Sequence, residues 1–131
     1  MGFLSRLFGP REPESFDPPS EDFKSVIMLL GVSRNYSGLA RSLKSKNPHV
    51  RAFTVGAVLF AGHTRSLGGN KIRMSKDFPI DARAVQLLIP LLKDSDQQVR
   101  EATERALKSV KDNADVARAL EEYQASLEAP K

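Results

Sequence analysis

Apolar residues recur at helical spacing along most of the chain. In the first such stretch Phe23, Val26, Ile27 and Leu30 fall at helical spacing, Ser20 precedes them as a candidate N-cap, and Gly31 follows them. Such spacing, begun by a capping residue and closed by glycine, is typical of an amphipathic helix. The pattern therefore predicts a first helix that ends near Gly31.

Two further helices are predicted on either side of a proline break. One runs roughly from Arg34 to Ser45, and Asn47-Pro48 then interrupts it. Helical spacing resumes at Val50, and although the β-branched residues of 54–58 suggest a strand, proline is favoured just inside a helix N-terminus. We therefore predict a helix after Pro48.

This pattern recurs further along the chain. The stretch 39–58 matches the stretch 88–107 at a constant offset of 49 residues, the separation of Val50 and Val99. The matched pairs are Leu39 and Leu88, Leu43 and Leu92, Lys44 and Lys93, Val50 and Val99, Arg51 and Arg100, Thr54 and Thr103, and Ala57 and Ala106. Self-similarity of this kind indicates repeated helix hairpins.

A third, partial copy begins after a shorter step. Asp81 to Val85 aligns with Asp112 to Val116 at an offset of 31 residues. If 31 is the intrinsic step, the first interval of 49 carries 18 extra residues, which must lie between Ala61 and Asp81. We therefore interpret residues 62–80 as a loop inserted between two repeats.

The second copy resembles a HEAT repeat, and its short step is similar to the subtype named after phycobilin lyases. The resemblance is carried by the Ala84-Val85 pair, the paired leucines, the Lys-Asp-Ser-Asp of 93–96, and Val99-Arg100 followed by Ala102 and Ala106. It covers roughly residues 34–123. The first copy departs from the pattern at Lys46-Asn-Pro-His in its turn and at Phe53 and Gly56.

The resemblance implies an all-α fold, a short right-handed α-solenoid of HEAT-like hairpins over residues 21–128. Second helices would line its concave side. Because one hairpin cannot bury its own apolar face, hairpins stack and the two ends need caps. We expect residues 21–31 to cap one end and residues 113–128, with Glu121, Glu122 and Glu128 outward, to cap the other. In each Val-Arg pair, we expect the valine to lie in the core and the arginine to tie neighbouring inter-helix turns through Asp96, Asp94 or a free carbonyl.

Residues 1–20 are predicted to be a flexible N-terminal foot and a proline-rich linker. Phe3, Leu4, Leu7 and Phe8 fall on one side of a short helix, while residues 10–20 contain four prolines and no periodicity. Besides a frayed terminus, three interpretations of the foot stay open: weak membrane association, contact with a partner, or contact with the domain itself.

Composition and charge narrow the class of protein. Among 131 residues there is no cysteine, which excludes disulfides and thiolate chemistry, and the longest apolar run is too short to cross a bilayer. We expect a soluble, cytoplasmic protein. Residues 23–80 carry 10 basic groups and 1 acidic group, whereas the flanking stretches are acidic on balance. A basic middle attracts nucleic acid, anionic membranes or acidic partners.

The inserted loop contains residues that suggest chemistry but lack a framework for it. Gly68-Gly69-Asn70 can turn backbone N–H groups outward, as anion-binding nests do, yet no Gly-Lys-Ser/Thr follows. His63, Ser66 and Asp77 are triad residue types, but they lie in a glycine-rich loop that cannot preorganise them. We therefore predict no enzyme activity, no cofactor and no metal site.

A partner-binding surface is the leading functional hypothesis. Outward positions of the later second helix are charged, whereas the equivalent earlier residues are apolar or small, namely Ala52, Val55, Gly56 and Leu59. A helix that is apolar all round is normally covered all round. The candidate covers are the N-terminal foot, the inserted loop and a partner; contact with the loop is the first expectation and a groove for a partner's apolar segment the second. The predicted partner-binding residues are Val55, Leu59, His63, Arg65, Lys71, Arg73 and Arg105.

The leading hypothesis is thus a non-enzymatic HEAT-like scaffold or adaptor that binds another protein of unknown identity through its concave face and its basic inserted loop. Nucleic-acid binding is the second hypothesis, and the residues that would carry it are Arg41, Lys44, Lys46, Arg65, Lys71, Arg73 and Lys76. No stacking aromatic residue lies near these charges in the sequence. An accessory protein of the phycobilin-lyase type is the third hypothesis, which rests on the resemblance alone.

Overall fold

The computed structural model describes residues 23–68 and 71–128, and this part is mostly helical. Its α-helices are α1 Phe23–Val32, α2 Tyr36–Ser42, α3 Pro48–Gly62, α4 Ala82–Leu88, α5 Gln97–Lys108 and α6 Ala114–Glu128. A 3₁₀ helix, Ile89–Lys93, continues α4, and the strands are β1 Thr64–Gly68 and β2 Lys71–Met74. The predicted foot, linker and Ser20 cap lie outside the described residues.

Asparagine and aspartate fix where most of the helices begin. The side chains of Asn35, Asn47, Asp81 and Asp96 accept hydrogen bonds from backbone N–H groups in the first turns of α2, α3, α4 and α5. Asn113 does the same for α6. Each cap satisfies a donor that has no partner within the helix, so these polar residues set the helix boundaries.

The sequence repeat is reproduced in individual hydrogen bonds. Nη1 of Arg51 donates to the carbonyl oxygen of Ser45 at 2.7 Å, and Nη1 of Arg100 donates to that of Asp94 at 2.6 Å. The two arginines and the two acceptors are each related by the 49-residue offset. The α2–α3 and α4–α5 hairpins therefore share a local structure as well as a sequence pattern.

The same arginine also joins the two hairpins. Nε and Nη2 of Arg51 donate to the two carboxylate oxygens of Asp94 at 3.0 and 2.9 Å, and both side chains are largely buried. Val50 and Val99, which precede the two arginines, are 1% and 0% exposed. The predicted core role of both valines is confirmed, and Arg51 ties two turns as predicted, whereas Arg100 binds a carbonyl oxygen in the turn of its own hairpin.

Helix α3 is at the centre of the helix packing. Helix α3 contacts α1 and α5, and it also contacts α2 and α4. The 3₁₀ helix contacts α5 and α6, and α2 contacts α4. One continuous core results, whose largest fully buried aliphatic side chains are Ile27, Leu39, Val50, Val55, Val58, Leu88, Val99 and Leu107.

The insertion between the repeats is a β-hairpin, so the prediction of an all-α chain with a loop at 62–80 was incomplete. Strands β1 and β2 pair antiparallel, and Gly68, the last residue of β1, has a φ of +101°. Glycine adopts this left-handed region without a steric penalty. Ile72 and Met74 alternate with polar residues on β2, whereas Thr64 and Ser66 on β1 are polar themselves. The apolar alternation was therefore too short to predict a strand.

Backbone hydrogen bonds attach the hairpin to the end of α3. The N–H of Ser75 donates to the carbonyl oxygen of His63 at 3.1 Å, and that of Asp81 donates to Gly62 at 2.9 Å. A Cβ atom at Gly62 would lie only 2.7 Å from Cγ1 of Ile80. The lack of a side chain at Gly62 thus lets the returning chain pass close to α3.

The two terminal helices, α1 and α6, expose different kinds of side chain to solvent. Helix α6 exposes Glu121, Glu122 and Glu128, as expected for a polar end, together with Leu127. On α1, by contrast, the exposed fractions are 41% for Val26, 41% for Met28, 67% for Leu29 and 36% for Val32. The outer side of α1 is therefore apolar, and Val26, whose spacing grouped it with the inward residues of this helix, is exposed there.

Candidate partner-binding groove

Two of the predicted partner-binding residues are buried. Val55 is 2% exposed and belongs to the core, and His63 is 6% exposed, with its Nδ1 atom 3.2 Å from the carbonyl oxygen of Leu59. A role in partner contact needs exposed side chains, so the prediction fails for this pair. The reason is that α3 contacts four helices, which makes its buried arc wider than a single hairpin predicts.

Leu59 lies beneath the hairpin. It lines a small cavity of about 200 Å³, and Met74 and Lys76 of the insertion form part of the cavity wall. The side chain of Leu59 is half-buried. The insertion therefore covers part of the apolar outer side of α3, as the sequence suggested, and leaves little of Leu59 for a partner.

Arg65 is held against the base of the hairpin. Its guanidinium donates to the carbonyl oxygens of Gly62 at 3.2 Å, Thr64 at 3.1 Å and Pro79, and it lies 5.3 Å from the ring centre of Phe78. These contacts use the planar donor set of arginine to join the two ends of the insertion. Arg65 thus has a clear structural role in this fold.

The exposed basic residues of the middle segment are divided between two places. Lys71 and Arg73 are exposed on β2, beyond the C-terminal end of α3, whereas Lys44 and Lys46 lie next to its N-terminal end. The 15 residues of α3 separate these groups by about 22 Å. The structure therefore does not gather the predicted nucleic-acid-binding residues into one patch.

A groove instead opens where α1, α3 and α5 meet, with a volume of about 530 Å³. Three elements supply its lining, which combines aromatic, small and polar side chains. The lining residues are Phe23, Lys24, Asn47, His49, Ala52, Phe53, Gln98, Ala102 and Arg105. Of the residues predicted to bind a partner, Arg105 is the one that lines this groove.

The floor of the groove is apolar. Phe53 and the small residue Ala52 of α3 are half-buried there, and so is the small residue Ala102 of α5. The rings of Phe23 and Phe53 meet edge to face, with centroids 6.0 Å apart and planes at 83°. Edge-to-face pairing is a favoured arrangement that fixes both rings, so the floor is a preformed surface.

The rim of the groove is positively charged. Lys24 and Arg105 are exposed at its edges, and Nζ of Lys24 lies 6.0 Å from the ring centre of Phe53. The imidazole of His49 and the amides of Asn47 and Gln98 add hydrogen-bonding groups. None of the nine lining residues, all in the described part of the chain, carries a carboxylate. The groove thus favours a ligand that combines apolar groups with negative charge.

Sequence reasoning missed most of this groove for a specific reason. Phe53 and the turn Lys46-Asn-Pro-His depart from the repeat pattern, and Phe53, Asn47 and His49 line the groove. Lys24 comes from the first helix, and only the packing of α1 on α3 brings it beside Phe53. Departures from a repeat pattern were therefore the available signal, while the cationic rim required tertiary structure.

A second polar cluster lies where α2 meets α4. Arg83 donates to both carboxylate oxygens of Asp81, at 3.1 and 2.9 Å, and Arg34 donates to the same group at 3.2 Å. Hydrogen bonds from the Arg83 side chain, aided by its charge, lower the pKa of Asp81 to about 2. The Arg83 guanidinium also lies 4.4 Å from the ring centre of Tyr36, whose pKa burial raises. The carboxylate and the two guanidinium groups are thus paired with one another, whereas the buried Tyr36 hydroxyl and Arg34 Nε have no hydrogen-bond partner among the described residues.

Other classes of site were also sought in the structure. Over residues 23–68 and 71–128, no three His, Cys, Asp or Glu side chains come close enough together to hold a metal ion. No described helix has both the length and the apolar composition that crossing a bilayer requires.

The chain was compared with models of protein families, with curated proteins and with solved structures, and none of them matches.

Proposed function

We propose that the chain is a non-enzymatic HEAT-like α-solenoid that acts as an adaptor and binds another protein in the groove between α1, α3 and α5. The HEAT-like assignment is supported by two hairpins that share the same arginine-to-carbonyl hydrogen bond at the 49-residue offset. It is also supported by the order of contacts, in which α1, α3 and α5 lie side by side. Stacking of this kind gives repeat proteins their extended binding surfaces.

The single observation that carries the binding role is the combination of an apolar floor with a cationic rim. Phe53, Ala52 and Ala102 offer apolar contact, while Lys24 and Arg105 flank them and no lining residue opposes their charge. Arginine forms bidentate hydrogen bonds with carboxylates, which are stronger than bonds between neutral groups. The ligand that fits is a segment with aliphatic or aromatic side chains next to Asp or Glu.

The size of the groove fits a short segment better than a whole protein surface. Its volume of about 530 Å³ lies within the range of sites that enclose a compact ligand. Peptide segments bind such grooves with a few buried anchors that supply most of the affinity. We therefore propose an adaptor that recognises an acidic linear motif, and the cytoplasmic location that we expect for it stays a prediction.

Affinity capture with matched charge variants tests this proposal. Full-length wild-type chain, Arg105→Glu and Lys108→Glu are used to capture proteins from nuclease-treated cell extract. Both changes reverse one charge on α5, but Lys108 lies outside the groove, where it pairs with Glu104 at 3.2 Å, so circular dichroism must show that both variants stay folded. We expect specific partners that Lys108→Glu retains and Arg105→Glu loses. Partners that bind all three proteins equally would show that the groove is not the binding site.

A further inference from the structure

The outer side of α1 is an exposed apolar surface. Val26, Met28, Leu29 and Val32 project from it, and Ser25 is the polar side chain among them. At 100° per residue these five positions form one arc, opposite the side that packs on α3. We call this arc the α1 outer face.

An uncharged helix face of this kind is unusual in water. A helix that is apolar all round is normally buried all round. The other end of the helix stack follows the expected pattern, because α6 exposes several glutamates. Terminal repeats need a polar outer surface, and α1 does not provide one. A further apolar segment is therefore expected to cover the α1 outer face.

The same chain contains a segment with matching chemistry. Residues 1–22 lead directly into α1, and their first eight residues include Phe3, Leu4, Leu7 and Phe8. This spacing places the four apolar side chains on one side of a helical turn, with Ser5 and Arg6 elsewhere. The segment is thus a short apolar strip, similar in length to the face that it would cover.

The connection between the two is long enough. Residues 9–22 separate Phe8 from Phe23, and 14 residues span up to about 46 Å when extended. Helix α1 has 10 residues and is about 15 Å long. Every point on the α1 outer face is therefore within reach of residues 3–8.

Size and concentration favour this segment over a second copy of the chain. A face about 15 Å long and roughly 10 Å wide is far smaller than the roughly 800 Å² per partner of a stable interface. A tethered segment, in contrast, has an effective concentration in the millimolar range. A small apolar contact that is too weak between molecules is therefore sufficient within one molecule.

We propose that Phe3, Leu4, Leu7 and Phe8 bind the α1 outer face of their own chain and complete the cap at this end of the domain. The contact does not involve the groove, so it stands apart from the proposed adaptor role. It also selects one of the three interpretations of the foot, namely contact with the domain itself.

Thiol accessibility tests this contact, since the chain has no cysteine of its own. Ser25→Cys places one thiol within the α1 outer face of the full chain, and Ser126→Cys places one on an exposed position of α6 as the matched control. The labelling rate of each thiol is measured with and without Phe3→Asp/Leu7→Asp. We expect the foot variant to label about tenfold faster at position 25, which corresponds to an effective concentration ten times the dissociation constant. At position 126 the rate should stay within about twofold.

Three results would overturn the proposal. The first is equal labelling at position 25 in both backgrounds, confirmed with a variant that lacks residues 2–8 and with circular dichroism showing that all proteins are folded. The second is protection that rises with protein concentration and survives the foot substitutions, which would assign the face to a second copy. The third is protection that appears only with vesicles of anionic phospholipid, which would assign the foot to a membrane.

Discussion

Arg51 is the residue at which the two hairpins are joined. Its guanidinium binds both oxygens of Asp94, and the exposed fractions of the two side chains are 13% and 9%. Removing one partner of a largely buried pair leaves the other charge without compensation. We expect Arg51→Met to lower the free energy of unfolding by about 3 kcal/mol in urea titrations. Arg118→Met, which breaks the exposed pair with Asp115, should cost less than about 0.5 kcal/mol, and equal losses would show that Arg51 has no special role.

Asp81 gives the folded state a defined pH dependence. Its pKa is about 2 in the fold against an ordinary value of 3.8, so the carboxylate stabilises the fold above pH 4 and loses this effect as pH falls towards 2. The full shift corresponds to about 2 kcal/mol, but Arg83 is exposed, and solvent screening reduces the expected effect to about 1 kcal/mol. Asn caps helices as Asp does, so Asp81→Asn isolates the charge.

Urea titrations at several pH values measure this effect. Wild type should exceed Asp81→Asn by about 1 kcal/mol at pH 6, and the difference should vanish near pH 2. A difference that stays constant across this range would mean that the carboxylate acts only through its shape.

Single residues show where sequence reasoning succeeded and where it failed. The roles of Val50 and Arg51 were predictable, since they repeat at Val99 and Arg100 and the repeat fixes their surroundings. Val55 was misjudged because its burial depends on how many helices surround α3, which no single hairpin contains. Local periodicity thus predicted the inward face well and the lateral faces poorly.

At the scale of elements, replacing either of two glycines of α3 by alanine is expected to have opposite effects on stability. A Cβ atom at Gly62 would lie 2.7 Å from Ile80 and 2.8 Å from Ala84, whereas at Gly56 nothing lies within 4 Å. We expect Gly62→Ala to destabilise the fold by about 1–3 kcal/mol through overpacking. Gly56→Ala should stabilise it by up to about 1 kcal/mol, since alanine favours helices. Thermal unfolding of both variants measures this, and stabilisation by Gly62→Ala would contradict the close approach of the insertion.

The sequence repeat predicted where the insertion lies in the chain. Comparing steps of 49 and 31 residues located it between α3 and α4, where the structure has β1 and β2. Its strands were not predicted, because two short, mostly exposed strands carry little hydrophobic alternation. Position therefore followed from the sequence, while conformation depended on contacts with the end of α3.

At the scale of the whole molecule, function follows from the packing of elements that are distant in sequence. The predominance of helices and the repeated hairpins were predictable from periodicity. The groove was not, because its floor comes from α3 and α5 and its cationic rim from α1 and α5. The partner surface proposed here accordingly keeps Arg105 from the sequence prediction and replaces Val55 and His63 with Lys24 and Phe53.

The affinity of a peptide for the groove tests the central claim most directly. Peptides are selected from a random display library with the full chain, and the Kd of the best binder is measured for wild type, Arg105→Glu and Lys108→Glu. We predict a peptide with Asp or Glu beside an aromatic or aliphatic residue. We also predict a Kd at least about tenfold higher for Arg105→Glu and within about twofold of wild type for Lys108→Glu. Binding that Arg105→Glu leaves unchanged would contradict the account.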